Sequence, residues 1–406
     1  MKSVLLILLS MTTLSAWSQD TSTNPVVRKD TMDFGGFISK TFGKKQKAPK
    51  PQSGTALLPA IGYNPSVGFI LGVNVASGFH LGDPATTSLS SGTATAYVTS
   101  KGILNLQLRH NVYTKNNAFL IQGNIQITKM LVLDYGLGPG SGKERIDSLL
   151  FPIKFNEIRV NEKLYKRVSK NVLVGAGLAL NYHFDINDET KEADTTRATP
   201  HYTYSKYYDF NPKTYVLSGV FLNAQYTTRD HLNRAYKGLY ADFTIRLNPT
   251  WMGSTKKSIQ AMTEFRKYFS LSKINPEHVL AFWHLGTYRF RGDLPYLDLP
   301  ATATDMFNRS GRAYTIGRFR GPSFFYLESE YRFPITDNKF LSGVVFANIE
   351  TVSDGLNRNL FEAYEPAGGA GIRILFNKKT RTNLCIDYAF GKYGSKGLFF
   401  GLNEVF

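Results

Sequence analysis

Three arginines share one stretch, Gly311–Pro334, which reads GRAYTIGRFRGPSFFYLESEYRFP. Arg312, Arg318 and Arg320 lie in its loop-like first half. A guanidinium offers a fixed fork of N–H donors and stays charged, so it suits carboxylates and phosphates. Buried in a protein, such a group needs acceptors. The aromatic second half offers an acceptor, Glu330. The chemistry this points to is docking: Arg312 latches a loop onto an inner wall through Glu330. Arg318 and Arg320 read the same way, with lipopolysaccharide phosphates as their alternative partners. Catalysis has little support. The seven histidines, among them His183, His201, His231, His278 and His284, show no metal-ligand spacing, and neither HExxH nor Gly-x-Ser-x-Gly occurs. Cys385 is the single cysteine, which excludes an intrachain disulfide and a cysteine-based metal site. His284 and Glu264 are expected to face one interior as ordinary polar wall residues. Gly136-x-Gly138-x-Gly140 falls in a loop and predicts no phosphate cradle. We expect no enzyme, no cofactor and no metal.

The elements that hold these residues read as strands. From Thr55 onward the apolar period is two. In Asn171–Phe184, residues Val172, Val174, Ala176, Leu178, Leu180, Tyr182 and Phe184 point one way, while Gly175, Gly177, Ala179, Asn181 and His183 point the other. In 239–247, Leu239, Phe243, Ile245 and Leu247 oppose Asp242, Thr244 and Arg246. Small and polar residues inside, apolar ones outside, is the pattern of a barrel in lipid. Aromatics at 14% and 35 glycines suit aromatic girdles and a lumen of small residues. About sixteen such segments can be counted, and an even number fits a bacterial single-chain barrel. The expected fold is therefore all-β, an antiparallel transmembrane β-barrel of about sixteen strands with a loop inserted in its lumen, spanning 55–406. Residues 1–18, MKSVLLILLSMTTLSAWS, read as a secretory signal. Residues 19–54 read as a short periplasmic segment and linker, with Phe34, Phe37, Ile38 and Phe42 on one side of an amphipathic turn.

The connections alternate. Arg167–Lys170, Ser272–Glu277, Thr336–Lys339 and Asn377–Thr380 are short and predict the periplasmic end. Gly136–Phe151, Asp185–Tyr215 and Arg291–Ser323 are long and predict the outer end. The second of these carries Tyr202, Tyr204, Tyr207, Tyr208 and Phe210. It reads as a self-packed lid, with a receptor surface as the alternative. The final segment, GLFFGLNEVF, places Leu398, Phe400, Leu402 and Phe406 on the outward face. A terminal aromatic there resembles the C-terminal signal of outer-membrane proteins, although Glu404 departs from its apolar pattern. The net charge of +17 suits contact with anionic lipid headgroups or passage of anions, and an exported chain has no nucleic acid to meet.

Taken in order, these features resemble the outer-membrane assembly-factor superfamily, the bacterial surface antigen barrels that include BamA, TamA and the two-partner secretion transporters. The connection between the eleventh and twelfth segments carries Arg312-Ala313-Tyr314 where those barrels carry Arg-Gly-Tyr or Arg-Gly-Phe. The neighbouring DLPYLDLP and ESEYRFP, the turn YTTRDHLNRAYKG at Tyr226–Gly238, and the opening LLPAIGYNPSVGFILG at Leu57–Gly72 are similar too. Ala313 stands in place of the motif glycine and implies a differently bent loop tip. The resemblance places Asn348 where some relatives carry an acidic partner for the arginine, so Asn348 is a neutral acceptor beside Glu330. Residues 19–54 are shorter than one polypeptide-transport domain of that superfamily. The resemblance implies an outer-membrane barrel that inserts or translocates proteins or lipid through a lateral seam, near Leu57–Tyr63 and Leu398–Phe406. Its implied partners are outer-membrane lipid, lipopolysaccharide and client or assembly proteins. A passive pore for small polar or anionic solutes, and a structural subunit of an outer-membrane complex, are the alternatives.

Overall fold

The structure is a computed structural model that describes residues 31–42, 54–64, 66–140, 151–188, 198–306, 308–355, 359–378 and 381–406. The signal read at 1–18 lies outside them. Sixteen strands follow one another as β1 (Gly54–Asn64), β2 (Gly68–Phe79), β3 (Ser90–Thr99), β4 (Leu104–Tyr113), β5 (Phe119–Asp134), β6 (Phe151–Ser169), β7 (Val172–Asp188) and β8 (Tyr215–Thr227), then β9 (Gly238–Asn248), β10 (Ser258–Ser270), β11 (Val279–Gly292), β12 (Ser323–Pro334), β13 (Leu341–Val352), β14 (Glu365–Asn377), β15 (Thr382–Gly391) and β16 (Lys396–Leu402). Each pairs antiparallel with the next, in unbroken sequence order. No ladder joins β1 to β16 among the described residues. The two edges do approach: a Cβ built on Gly62 would lie 3.6 Å from the carbonyl oxygen of Phe400.

The period-two pattern selects the faces. Leu178 is 58% exposed while Ala179 and Asn181 are buried, and Phe243 is exposed while Thr244 and Arg246 are buried. Leu57, Ile61, Leu71, Leu106, Ile127, Leu222 and Phe390 continue an outward apolar belt. Such a belt is unfavourable in water and favourable in hydrocarbon, where the antiparallel ladders satisfy the backbone of every strand between the two edges. No helix of the described residues is long and apolar enough to cross a membrane.

Two short helices stand outside the wall. The first, α1 (Phe34–Phe42), sits at the short-turn end, where Phe34 stacks on Phe376 and Phe37 on Phe340. The side chains of Ile38 and Phe42 lie outside what is described. The second, α2 (Pro200–Tyr207), lies in the β7–β8 connection, capped by the Thr199 hydroxyl, which accepts from the Tyr202 N–H. Tyr204 packs on Tyr208, and its hydroxyl donates to the carbonyl of Leu294 at 2.9 Å. This lid therefore packs on the β11–β12 connection as well as on itself.

Three expectations need correction. The alternation of short and long connections reverses near the N-terminus: 65–67 and 100–103, at the long-loop end, are short, and 80–89 at the other end is longer. His284 faces outward, because it pairs in register with Phe265, not with Glu264. Its ring nitrogens are satisfied by Thr263 at 2.9 Å and the Tyr326 carbonyl at 3.0 Å. Phe406 does not continue the outward face of β16 but is 5% exposed and lies inside. The chain turns at Asn403, whose φ is +69°, and the tail follows Glu404 into a set of lumen arginines.

Candidate functional site

The β11–β12 connection, residues 293–322, enters the lumen and doubles back on itself. Ala301 bridges Arg320, the Thr302 N–H donates to Phe319 O at 3.0 Å, and the Gly317 N–H donates to Thr302 O at 2.9 Å. At its tip Arg312 is 5% exposed. Its Nε donates to Glu328 Oε2 at 3.2 Å, its Nη2 to Glu328 Oε1 at 2.5 Å and to Glu330, and its Nη1 to Asp387 Oδ2 at 3.0 Å. The guanidinium also lies 3.5 Å from the centre of the Phe346 ring. One cation among three carboxylates, out of water, is the situation in which a charge is held only by good geometry.

Sequence reasoning named Glu330 and overlooked Glu328 and Asp387. Glu328 and Glu330 are two residues apart on one strand, so both point inward. An aspartate within the apolar run Leu384–Phe390 was a second available sign. Asn348 meets the arginine differently from the neutral-acceptor expectation: its Nδ2 donates to the main-chain carbonyl of Arg312 at 3.3 Å. The Tyr314 hydroxyl donates to Pro366 O at 2.6 Å and accepts from the Lys392 N–H at 3.0 Å, and its ring lies where a side chain on Gly391 would stand. Arg318 stacks on Tyr135 at 4.3 Å. Arg320 donates to the carbonyls of Tyr296, Leu297 and Leu299, closing the base of the loop. Ala313 has φ +95°, a backbone conformation that favours glycine.

Asp387 is shared. Its Oδ1 accepts from Arg373 Nη1 at 2.5 Å, across Gly371, where any side chain would collide with the carboxylate. Arg373 Nε donates to Glu404 Oε2 at 2.8 Å. Glu404 Oε1 accepts from Asn383 Nδ2 at 2.7 Å and lies 3.4 Å from Arg234 Nε. Arg309, on the inserted loop, donates to the carbonyls of Leu402 and Glu404. Phe406 stacks on Trp283 at 5.4 Å, and its carbonyl oxygen accepts from Arg332 Nη2 at 3.0 Å. The loop tip and the chain end thus belong to one network. Phe400, by contrast, faces outward on β16, and Leu402 closes that strand. Arg234 comes from the β8–β9 turn, which reaches across the short-turn end of the barrel. Its Asp230 accepts from Arg381 at 2.9 Å, and its Tyr236 hydroxyl donates to Glu277 at 2.9 Å.

Among the described residues no group of three or more histidine, cysteine or carboxylate side chains is placed to hold a metal ion. No protein-family model matches the chain, and no curated protein does. Solved structures do. BamA from Haemophilus ducreyi lacking POTRA domains 1–3 superposes with a TM-score of 0.58 at 14% identity, over 87% of this chain and 71% of that one. CdiB from Acinetobacter baumannii gives 0.51 at 13% identity, and CdiB from Escherichia coli gives 0.56 at 7%. The fold is that of the BamA and CdiB barrels. This chain covers 86% and 87% of itself in the two CdiB comparisons, but only 59% and 63% of those proteins' lengths, less than two thirds.

Proposed function

We propose that this chain is an outer-membrane barrel of the assembly-factor kind, which admits a client strand or a lipid laterally between β1 and β16. On this reading the apolar belt meets lipid, the long connections meet lipopolysaccharide outside, and the short turns and α1 belong to the periplasm. One observation carries it: β16 is a short strand whose outer edge, among the described residues, forms no ladder with β1. An unpaired edge templates another strand, which is the physical basis for inserting one. The arginine–carboxylate network holds the loop and the chain end on the inner wall behind that edge.

The test is a disulfide lock, with cysteines placed across Gly62 and Gly401 in a Cys385→Ser background. Client assembly in native membranes should stop when the lock is oxidised and resume on reduction. Assembly that continues with the lock closed would defeat lateral entry. A passive pore would instead show large steady conductance in planar bilayers, unaffected by Arg312→Ala.

A further inference from the structure

A cavity of about 300 Å³ lies within the lumen beside the β1–β16 boundary. Its far wall is built from Asn105, Gln107 and Arg109, alternate residues of β4 that point inward. The acceptors of this wall are already used. Asn105 Oδ1 accepts from Gln126 Nε2 at 2.7 Å and from Thr128 Oγ1 at 3.0 Å, which fixes its amide orientation. Gln107 Oε1 accepts from Arg109. The Nδ2 of Asn105 has no hydrogen-bond partner, although the residue is 1% exposed. The near wall is different: Ile70, Met306 and Phe399 border the cavity, and Ile70 adjoins Gly62 at the boundary. Asp387 also reaches the cavity, but its oxygens are held by Arg312 and Arg373.

The space therefore presents N–H donors and positive charge deep inside and apolar side chains toward the seam. A buried donor without a partner favours an occupant that brings acceptors. Its volume is at the lower end for ligand sites, enough for a headgroup and not for a whole lipid. We propose that this cavity binds the phosphate group of an anionic amphiphile, whose apolar part leaves through the β1–β16 boundary. The route of entry rests on the lateral-entry reading above; the recognition by Asn105 and Arg109 does not.

The experiment measures binding of acyl-labelled phosphatidylglycerol to the purified full chain in detergent, with labelled diacylglycerol as the phosphate-free comparison and inorganic phosphate as competitor. Phosphatidylglycerol should bind one to one and diacylglycerol at least about tenfold more weakly. Asn105→Leu and Arg109→Gln should each lose about tenfold in affinity. Met306→Trp, which fills the space and leaves the donors intact, should exclude the lipid even where the other variants fail to fold. Displacement by inorganic phosphate at similar concentration would support the phosphate site and assign it to a free anion. Equal binding of diacylglycerol, or affinity unchanged in all three folded variants, would overturn the proposal. If clients assemble with the seam locked while Arg109→Gln still loses the lipid, gating fails and this site stands.

Discussion

Arg312 is where the largest single effect is expected. Removing it leaves Glu328, Glu330 and Asp387 together in a buried space. Breaking a buried ion pair in this way costs about 3–5 kcal/mol, less where lumen water reaches it. Arg312→Ala should lower the temperature at which the folded barrel loses its compact gel mobility. Arg312→Lys should fall between, because a point charge cannot serve three carboxylates at once; a lysine variant as stable as wild type would show that the fork geometry is immaterial. Ala313 makes an independent prediction. At φ +95° a Cβ is strained, so Ala313→Gly should stabilise the barrel by up to about 1 kcal/mol and raise the same midpoint.

Among elements, the inserted loop and the C-terminal tail are linked through Asp387 and Arg373. Asp387 accepts from Arg373 on both oxygens and from Arg312 on one of them, and Arg373 goes on to hold Glu404. Residues linked through one partner are not independent. A double-mutant cycle on Arg312→Ala and Arg373→Ala should give a coupling energy of about 0.5–3 kcal/mol. Strict additivity in thermal unfolding would mean that loop and tail are held separately. This coupling also accounts for Glu404, which is out of place in an outward strand and well placed as the anchor of an inward tail.

On the scale of the whole molecule, the lumen is entered from both ends: by the 293–322 connection from one, and by the β8–β9 turn and the chain end from the other. The turn is tied across the barrel by Asp230 and Arg381. Burial acts to raise the Asp230 carboxyl, but the Arg381 hydrogen bond and the N–H groups of Lys237 and Tyr236 outweigh it and hold it below its usual range. A depressed folded pKa means that the tie stabilises above the unfolded value, about 3.9, and is lost as pH falls through the folded one. Asp230→Asn should therefore lower the unfolding midpoint at pH 7, modestly because the group is part-exposed, and progressively less as the pH is taken below about 3.9. A difference that persisted or grew in acid would mean that the carboxylate is not what holds the turn.

The sequence by itself determined the wall. Period-two alternation is a local property, and it survives into the structure strand by strand because a strand's pleat has only two faces. The position of the loop carrying Arg312 was legible for the same reason, since counting strands locates their connections. The network around Arg312 was decided only by tertiary structure. Glu328, Asp387, Arg373 and Glu404 come from four places in the chain, and nothing local says which inward charges will meet across a curved sheet. The inward turn of Phe406 was hidden likewise. Alternation gave it an outward face, but buried arginines waiting for Glu404 pulled the last residues the other way, and a long-range ion pair outweighed the local pattern.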